Sequence, residues 1–325
     1  MAFSTHSWFM SHKNLYLCLT AIICIIMTTL ADAAPLPDRY INDPEIGYFG
    51  RMSKVLFDAN ATDTTIATDM IIRKVFGLMD MQSKIKIYEN RDQLILDLTE
   101  NRVDAVFTSV IDHIELEHLI NSKYIYTLVY GSRPLQKVYL LTRKNAQIKH
   151  ISELQDRRIS IPKGHYLGSR FLDVKLLKED LQKSNDFFSQ IREVEDTNTA
   201  IVELFFGKTD CALVSDIAFE LAGELNVQIS QELEVLISSN DMVPQIIAIN
   251  KNVPQSIFDK VDTFLVKSHE NKRIKYLLSL FRAKKFIKLE QDQLLETRRL
   301  LDEYNILLNR TGYRSDMHVT SRQAD

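Results

Sequence analysis

Between residues 46 and 121 the chain alternates between short apolar runs and segments whose apolar residues recur every three or four positions. Short apolar runs are typical of buried strands, and the longer spacing is typical of helices with one apolar face. The alternating order favours parallel strands covered by helices. The predicted elements are strand Ile46–Phe49, helix Thr62–Met79, strand Ile85–Tyr88, helix Asp92–Asn101, strand Asp104–Val110 and helix Ile111–Asn121.

The same order begins again after strands predicted at Tyr124–Tyr130 and Val138–Thr142. No long linker separates the first run from the second, so we expect two similar α/β units in direct succession. The predicted elements of the second unit are strand Ile159–Ile161, helix Ser169–Leu181, strand Ile191–Val194, helix Thr199–Phe206, strand Cys211–Val214 and helix Ile217–Leu225.

One further apolar strand, Val243–Ile249, precedes a pattern that is almost wholly helical from Pro254 onwards. A helical tail here most simply returns to cover the first unit, so the chain crosses between the units near Val138–Thr142 and near Gln245–Asn250. Two crossings predict a hinge. We therefore expect a first lobe of residues 34–137 and 250–310, a second lobe of residues 138–249, and a disordered polar tail at 311–325.

The N-terminal segment has the features of a targeting signal rather than of a folded element. Lys13 precedes an uncharged apolar run, Leu15–Leu30, and Ala31 and Ala33 place small residues where a signal peptidase cleaves. The run is short for a membrane span, and no basic cluster follows it. We expect a secretory signal peptide at residues 1–33; retention of the segment as an N-terminal anchor is the alternative.

Charge and cysteine content narrow the function classes. The formal net charge is −3, which does not suggest binding to nucleic acid. Cys211 is the one cysteine after residue 33, so the exported part cannot form an internal disulfide. Its apolar neighbours favour a buried small side chain over a nucleophile. We expect a monomer.

The stretch Arg158–Leu181 carries the clearest candidate chemistry. A short strand passes through Lys163–Tyr166 into a helical pattern, and this arrangement aims free backbone N–H groups at one point that suits an anion. Gly164 and Gly168 allow close approach of a ligand, and Ser169 is a candidate N-cap or ligand hydroxyl. The alternative is an ordinary strand–helix connection with a capped helix.

Ligands of open parallel sheets bind at the carboxyl ends of the strands. In the first unit this rule selects Phe49–Arg51 and Thr108–Ser109.

Three stretches together resemble the phosphonate-binding-like family of periplasmic substrate-binding proteins. Phe206–Glu220 has the helix end, the G-K-x-D turn, the buried strand and the polar pair of that family. Asn101–Ser109 looks like its counterpart in the first unit, and Val138–Gly164 resembles the family's entry into its second lobe. The likeness covers roughly Ile46–Leu308.

The resemblance implies an α/β protein with the two-lobed type II periplasmic binding fold, in which each lobe is a mostly parallel sheet flanked by helices. It implies a periplasmic protein whose lobes close on a small-molecule ligand, with an inner-membrane ABC permease as partner. A membrane kinase or cyclase that senses the closed form is the alternative partner. No cofactor is implied.

One departure from the family bears on the ligand. The family's phosphonate binders present a run of Ser and Thr at the start of the second-lobe helix, whereas this chain has Gly164–Ser169, with one hydroxyl at the cap and His165 and Tyr166 before it. We expect a small anionic ligand; a bulkier molecule, one stacked on aromatic rings, or another oxyanion fits as well as a phosphonate.

The candidate pocket combines anion-binding groups with aromatic rings. The Ser169 amide and the Thr108 hydroxyl would hold an oxyanion with Lys163 as charge partner, and Phe49 and Tyr166 would supply stacking area. The full set is Tyr48, Phe49, Thr108, Ser109, Lys163, His165, Tyr166, Ser169, Ser215 and Asp216.

Several of these side chains have a plain structural alternative. Asp216 accepts from a ligand N–H or O–H, or it caps the helix that follows. His165 confers pH dependence near neutrality, or it is a surface residue. Tyr48 contributes to the pocket or only packs at its rim, and Lys163 is a charge partner or a solvated turn residue.

Metal and catalytic sites are not indicated. His113 and His118 are five residues apart rather than the four of a zinc-binding helix, which favours a solvated helix face. The chain has no G-x-S-x-G nucleophile motif. We therefore expect a binding protein and no enzyme, and a periplasmic enzyme acting on a small anion is the remaining alternative.

Overall fold

The strands of this chain form two sheets, each flanked by helices. The computed structural model describes residues 46–53, 61–130, 133–280 and 283–312, all within one unit, Pro44–Asp325. The predicted signal peptide and residues 313–325 of the predicted tail lie outside the described residues. The strands are β1 (Ile46–Met52), β2 (Gln82–Tyr88), β3 (Ala105–Ser109), β4 (Ile120–Tyr130), β5 (Val138–Arg143), β6 (Arg158–Pro162), β7 (Gln190–Val194), β8 (Cys211–Ser215), β9 (Leu233–Ser238), β10 (Gln245–Asn250) and β11 (Ala283–Lys288).

Helices connect most of these strands, in the order that the hydrophobic pattern predicts. Side chains that accept backbone N–H bonds fix several helix starts, for example Asn90 before the second helix and Asp196 before the sixth. The α-helices are α1 (Ala61–Leu78), α2 (Arg91–Thr99), α3 (Val110–Leu116), α4 (Tyr166–Lys178), α5 (Ser184–Phe187), α6 (Thr197–Phe205), α7 (Asp216–Leu225), α8 (Val227–Glu232), α9 (Gln255–Lys267), α10 (Lys272–Leu280) and α11 (Leu295–Thr311).

The first sheet has six strands in the order β11-β4-β10-β3-β1-β2. β1 lies parallel to both β2 and β3, with Phe49 in register with Ile85 and Ala105. β10 returns from the second half of the chain and runs antiparallel between β3 and β4. We call this sheet, with the helices α1–α3, α9 and α10, the first lobe.

The second sheet has five strands in the order β7-β6-β8-β5-β9. β6 lies parallel to β7 and β8, whereas β5 is antiparallel to both of its neighbours. Apolar side chains bury both faces, with Leu140 and Leu213 on one side and Leu141, Ala212 and Val214 on the other. We call this sheet, with α4–α8, the second lobe.

Two strands at sheet edges were not predicted, β9 and β11. β11 reads A-K-K-F-I-K and lies in a stretch that the sequence pattern predicts as almost wholly helical. Lysines are common on exposed edge strands because they discourage pairing with other chains. This composition weakens the alternating pattern from which a strand is predicted.

The helical tail divides between the lobes. α9 and α10 cover the first sheet, as expected. α11 packs against α4 instead, through a cluster of Val174, Leu177, Tyr304, Leu307 and Leu308. α11 also contacts α3 of the first lobe, and Arg298 of α11 pairs with Glu117. The last helix of the tail therefore lies against both lobes rather than against the first alone.

Candidate ligand-binding cleft

The chain passes between the lobes through two short segments that pair with each other. Gln136 in the first segment and Met242 in the second form an antiparallel bridge, with N···O distances of 2.9 and 2.8 Å. Ser239 reinforces the pairing, because its hydroxyl accepts from the Val138 amide at 2.8 Å. The crossings lie at 133–137 and 239–244, just before the strands where the sequence placed them, and paired segments of this kind can bend together as a hinge.

The carboxyl ends of β1, β2 and β3 meet at one edge of the first sheet, and at this edge Ser109 caps α3. Its hydroxyl accepts from the Asp112 amide at 3.1 Å and donates to the Asp112 carboxylate at 2.7 Å. Thr108, one residue earlier, is fully buried, and its hydroxyl has no partner among the described residues. Both lie where the strand-end rule predicted.

Arg91 is a charged residue of this edge that the sequence reasoning missed. It is the first residue of α2, directly after the end of β2, so the strand-end rule could have found it. Its guanidinium pairs with Asp112 at 2.8 Å and also with Glu115. Asp112 therefore links the Ser109 cap to the Arg91 guanidinium at the start of α2.

Tyr48 and Phe49 do not lie at the strand end. β1 continues to Met52, three residues past the predicted end, because its parallel pairing with β2 persists to Tyr88. Tyr48 packs beside Lys84, whose ammonium lies 3.3 Å from the Tyr48 hydroxyl, and Phe49 faces the interior of the first lobe. The assignment of Phe49 as a stacking surface for the ligand was therefore wrong.

At the facing edge of the second lobe, α4 begins at Tyr166 rather than at Ser169. Gly164 adopts a positive φ of 79°, which turns the chain out of β6. Ser169 then lies inside the first turn, where its amide and hydroxyl both donate to the His165 carbonyl, at 3.0 and 3.2 Å. It is not the N-cap, and the hydroxyl is occupied by the helix itself.

His165 is buried, with 2% of its surface exposed. Its ring lies over Gly168, where an added Cβ would come within 2.7–2.9 Å of the imidazole atoms. Gly168 therefore makes room for a side chain of the protein rather than for a ligand. Burial lowers the pKa of His165 to about 3, so the predicted titration near neutral pH was wrong.

Tyr166 is the first residue of α4, and 42% of its surface is exposed. Its partial burial raises the pKa of Tyr166, and the carboxylates of Asp112 and Glu193 add to this effect. Asp112 belongs to α3, which contacts α4, and one apolar cluster joins Ile111 of α3 to Leu167 of α4. The contact between α3 and α4 therefore brings together, from opposite lobes, the helix that Ser109 caps and the helix that begins at Tyr166.

Ser215 and Asp216 lie at the end of β8, where α7 begins. Ser215 is the N-cap, its hydroxyl accepting from the Ala218 amide at 3.2 Å. Asp216 is fully buried, and Arg133 of the first crossing segment lies 3.0 Å from its carboxylate. Burial raises the pKa of Asp216, while Arg133 opposes the rise. The cap predicted for Asp216 is thus made by Ser215, and Asp216 ties α7 to the hinge.

Three cations near the two facing edges, Arg91, Arg133 and Lys163, have carboxylate partners. Lys163 pairs with Glu195 at the end of β7, and this hydrogen bond raises its pKa. Arg133 pairs with Glu220 as well as with Asp216. An anion that enters here must compete with these carboxylates or bind chiefly through amides and hydroxyls.

A separate cavity of about 90 Å³ lies inside the first lobe, between the first sheet and the helices α1, α9 and α10. Its lining is apolar apart from Thr68, and it includes Phe49, Phe107 and Leu278. An empty cavity of this size costs roughly 2 kcal/mol of stability. The sequence carried no signal for it, because its walls come from both ends of the described chain.

His113 is buried within α3, although the sequence suggested a solvated face. Burial, together with the charge of Arg298, lowers its pKa to about 4.

Within the described ranges, no group of three or more His, Cys, Asp or Glu side chains is arranged to hold a metal ion. None of the helices described there is long and apolar enough to cross a membrane.

Comparison with known proteins gives a match to one family model. The family is described as the periplasmic substrate-binding protein of phosphonate ABC transporters, and its model matches residues 69–294, more than two thirds of the chain. No curated protein sequence matches the chain.

Solved structures share the fold at low sequence identity. A binding protein component of an ABC phosphonate transporter from Pseudomonas aeruginosa is 14% identical, with a TM-score of 0.62 over 84% of this chain and 90% of the other. XAC2383 from Xanthomonas citri, bound to ATP, is 11% identical, with a TM-score of 0.60 over 83% of this chain and 100% of the other. PhnD1 from Prochlorococcus marinus, in complex with methylphosphonate, is 13% identical, with a TM-score of 0.59 over 84% and 100%. These similarities bear out the predicted two-lobed type II fold.

Proposed function

The chain belongs to the family of periplasmic substrate-binding proteins of phosphonate ABC transporters, and we propose that its two lobes close on a small ligand that carries an oxyanion. The contact of α3, which Ser109 caps and which carries Asp112, with α4, which begins at Tyr166, is the observation that carries this proposal. A ligand at this place touches both lobes. Contacts made only in the closed form shift the population towards closure.

The anion would be held by dipoles more than by free cations. α4 begins at the second-lobe edge, and the first-turn amides of a helix lack partners within the helix and attract negative charge. The first-turn amides of α7 already donate to the Lys137 carbonyl, the Asp216 carboxylate and the Ser215 hydroxyl, so α4 is the helix that would hold the anion. Arg91, Arg133 and Lys163 already pair with carboxylates. They would therefore make the electrostatic potential at the anion more positive, but they would not be its main ligands. Tyr166 would donate its hydroxyl and present its ring.

The similar structures suggest which ligands to test first. One of them holds methylphosphonate and another ATP. We propose a panel of methylphosphonate, inorganic phosphate, sulfate and ATP. Calorimetry would measure the affinity of each, and small-angle scattering would measure closure of the lobes.

The test of the site is Tyr166→Phe, with Tyr276→Phe as a matched control on the exposed surface of α10. Loss of one hydrogen bond should weaken binding of the best ligand about three- to tenfold. The control should bind like the unmodified protein. A panel in which no ligand produces closure would contradict the proposed function, and unchanged binding by Tyr166→Phe would contradict the placement of the ligand.

We propose delivery to an ABC importer rather than signalling to a membrane kinase or cyclase, because the family is described as a transporter component. The closed protein should then stimulate the ATPase of its cognate permease complex in reconstituted vesicles. Stimulation of a sensor kinase or cyclase without any effect on the permease would favour the signalling alternative.

A further inference from the structure

The cavity inside the first lobe has the features of a second binding site, apart from the cleft. Its walls are apolar side chains from β1, β3, β4, β10 and β11 and from the helices α1, α9 and α10. At about 90 Å³ it is several times larger than the space that one water needs, and it is partly open to solvent. A deep apolar pocket with few polar groups is the usual form of a small-molecule site.

Thr68 gives this cavity a polar end. It is 7% exposed and belongs to the lining. Its hydroxyl has no hydrogen-bond partner among the described residues. A buried hydroxyl without a partner is costly, and the apolar walls around it offer none. A ligand with one hydroxyl or carbonyl group would satisfy it.

A second, similar hydroxyl lies outside the cavity and allows burial to be separated from the presence of the cavity. Thr142 on β5 is fully buried, and its hydroxyl also lacks a partner in the described part of the chain. It lies in the second lobe, outside the lining of this cavity. Thr142 therefore provides a matched control for Thr68.

We propose that the first lobe binds a short aliphatic molecule with one hydrogen-bonding end group, with its chain between the first sheet and α1, α9 and α10 and its end group on Thr68. An apolar cavity of about 150 Å³ holds benzene, so a cavity of about 90 Å³ suits a chain of about four or five heavy atoms. This site is independent of the ligand cleft, because none of the cleft residues Ser109, Tyr166 and Asp216 belongs to its lining.

The test compares butan-1-ol with n-pentane, which have the same number of heavy atoms, by ligand-observed NMR titration of the intact protein. The unmodified protein should bind both saturably, and the alcohol about five- to tenfold more tightly. Thr68→Val should bring the alcohol to the affinity of the alkane, while alkane binding persists. Thr142→Val should leave the ratio unchanged.

Ala105→Leu fills the cavity from β3 and should weaken binding of both compounds more than tenfold. Where this variant folds poorly, Val75→Ile on α1 provides a smaller filling change with the same expected direction. Absence of saturable binding by the unmodified protein would overturn the proposal. An alcohol preference that survives Thr68→Val, or alkane binding that survives both filling variants, would also overturn it.

Discussion

The two lobes have the same alternation of strands and helices but bury their sheets differently. In the second lobe both faces of the central strands are packed, with Leu140, Leu141 and Leu213 fully buried. In the first lobe the face that carries Phe49 and Phe107 lines a cavity. The helices of the second lobe are close to their strands along the chain, whereas α1 meets α10 only after the chain has returned. Packing is therefore less complete in the lobe whose sheet is covered by helices from distant parts of the chain.

Truncation of leucines in the two lobes should give the largest effect and the clearest contrast. Leu213→Ala in the second lobe should cost about 3–5 kcal/mol of unfolding free energy, because the removed atoms leave a new hole in a packed core. Leu278→Ala on α10 should cost about 2 kcal/mol, at the low end of the range, because its side chain already borders the cavity. Chemical denaturation measures both. Equal costs would contradict the difference in packing.

Lowering the pH should destabilise the fold through two buried histidines, one in each lobe, over different pH ranges. Folding lowers the pKa of His165 from 6.5 to about 3 and that of His113 to about 4, in each case mainly by burial. The unfolded chain therefore binds more protons in this range. Each histidine's contribution to stability is complete above pH 6.5 and is lost as the pH falls towards its folded pKa, at about 1.4 kcal/mol per pH unit.

Substitution of each histidine by glutamine tests this pH dependence apart from any change in packing. Denaturation at a series of pH values should show a shallower acid slope for His165→Gln down to pH 3, and for His113→Gln down to pH 4. Stability at pH 8 gives the packing cost of each variant. A slope identical to that of the unmodified protein would show that the histidine is protonated in the folded state.

The smallest expected contrast concerns two lysines with different partners. Lys86 in the first lobe contacts Asp97, which is buried, at 2.7 Å. Lys163 in the second lobe pairs with the exposed Glu195. Lys86→Met should cost about 1 kcal/mol because it removes a charged hydrogen bond from a buried carboxylate, and Lys163→Met should cost less than about 0.5 kcal/mol. Thermal and chemical denaturation measure both costs. A larger cost for Lys163→Met than for Lys86→Met would contradict this ranking of the two ion pairs.

Asp97 supplies the reason for the larger of these effects. Burial alone would raise its pKa, but hydrogen bonds from Lys86, Tyr88 and Arg102 outweigh burial and lower it to about 2. In Lys86→Met two of these donors remain. We therefore expect Lys86→Met to lose only part of the stabilisation that the lowered Asp97 pKa provides. The dependence of the unfolding free energy on pH between pH 4 and pH 2 should become smaller but remain measurable.

The places of some candidate residues in the fold were predictable from a local rule. Ser215 lies at the end of β8, as the family resemblance implies, and Thr108 and Ser109 lie at the end of β3, as the strand-end rule predicts. The same rule applied to β1 failed, because its pairing with β2 extends the strand to Met52 and turns Phe49 inward. His165 was misread because only the packed structure shows that Gly168 leaves space for its ring.

The order of the elements, the two α/β units and the double crossing were determined by the sequence itself, because hydrophobic spacing along a strand or helix is a local property. Tertiary structure alone decided the places of β10 and β11 in the first sheet, the packing of α11 on α4 and the pairing of Arg133 with Asp216. The cavity beside Thr68 also depends on segments far apart in the chain. Contacts of this kind are chosen by complementary surfaces that meet only after folding, so no local pattern encodes them.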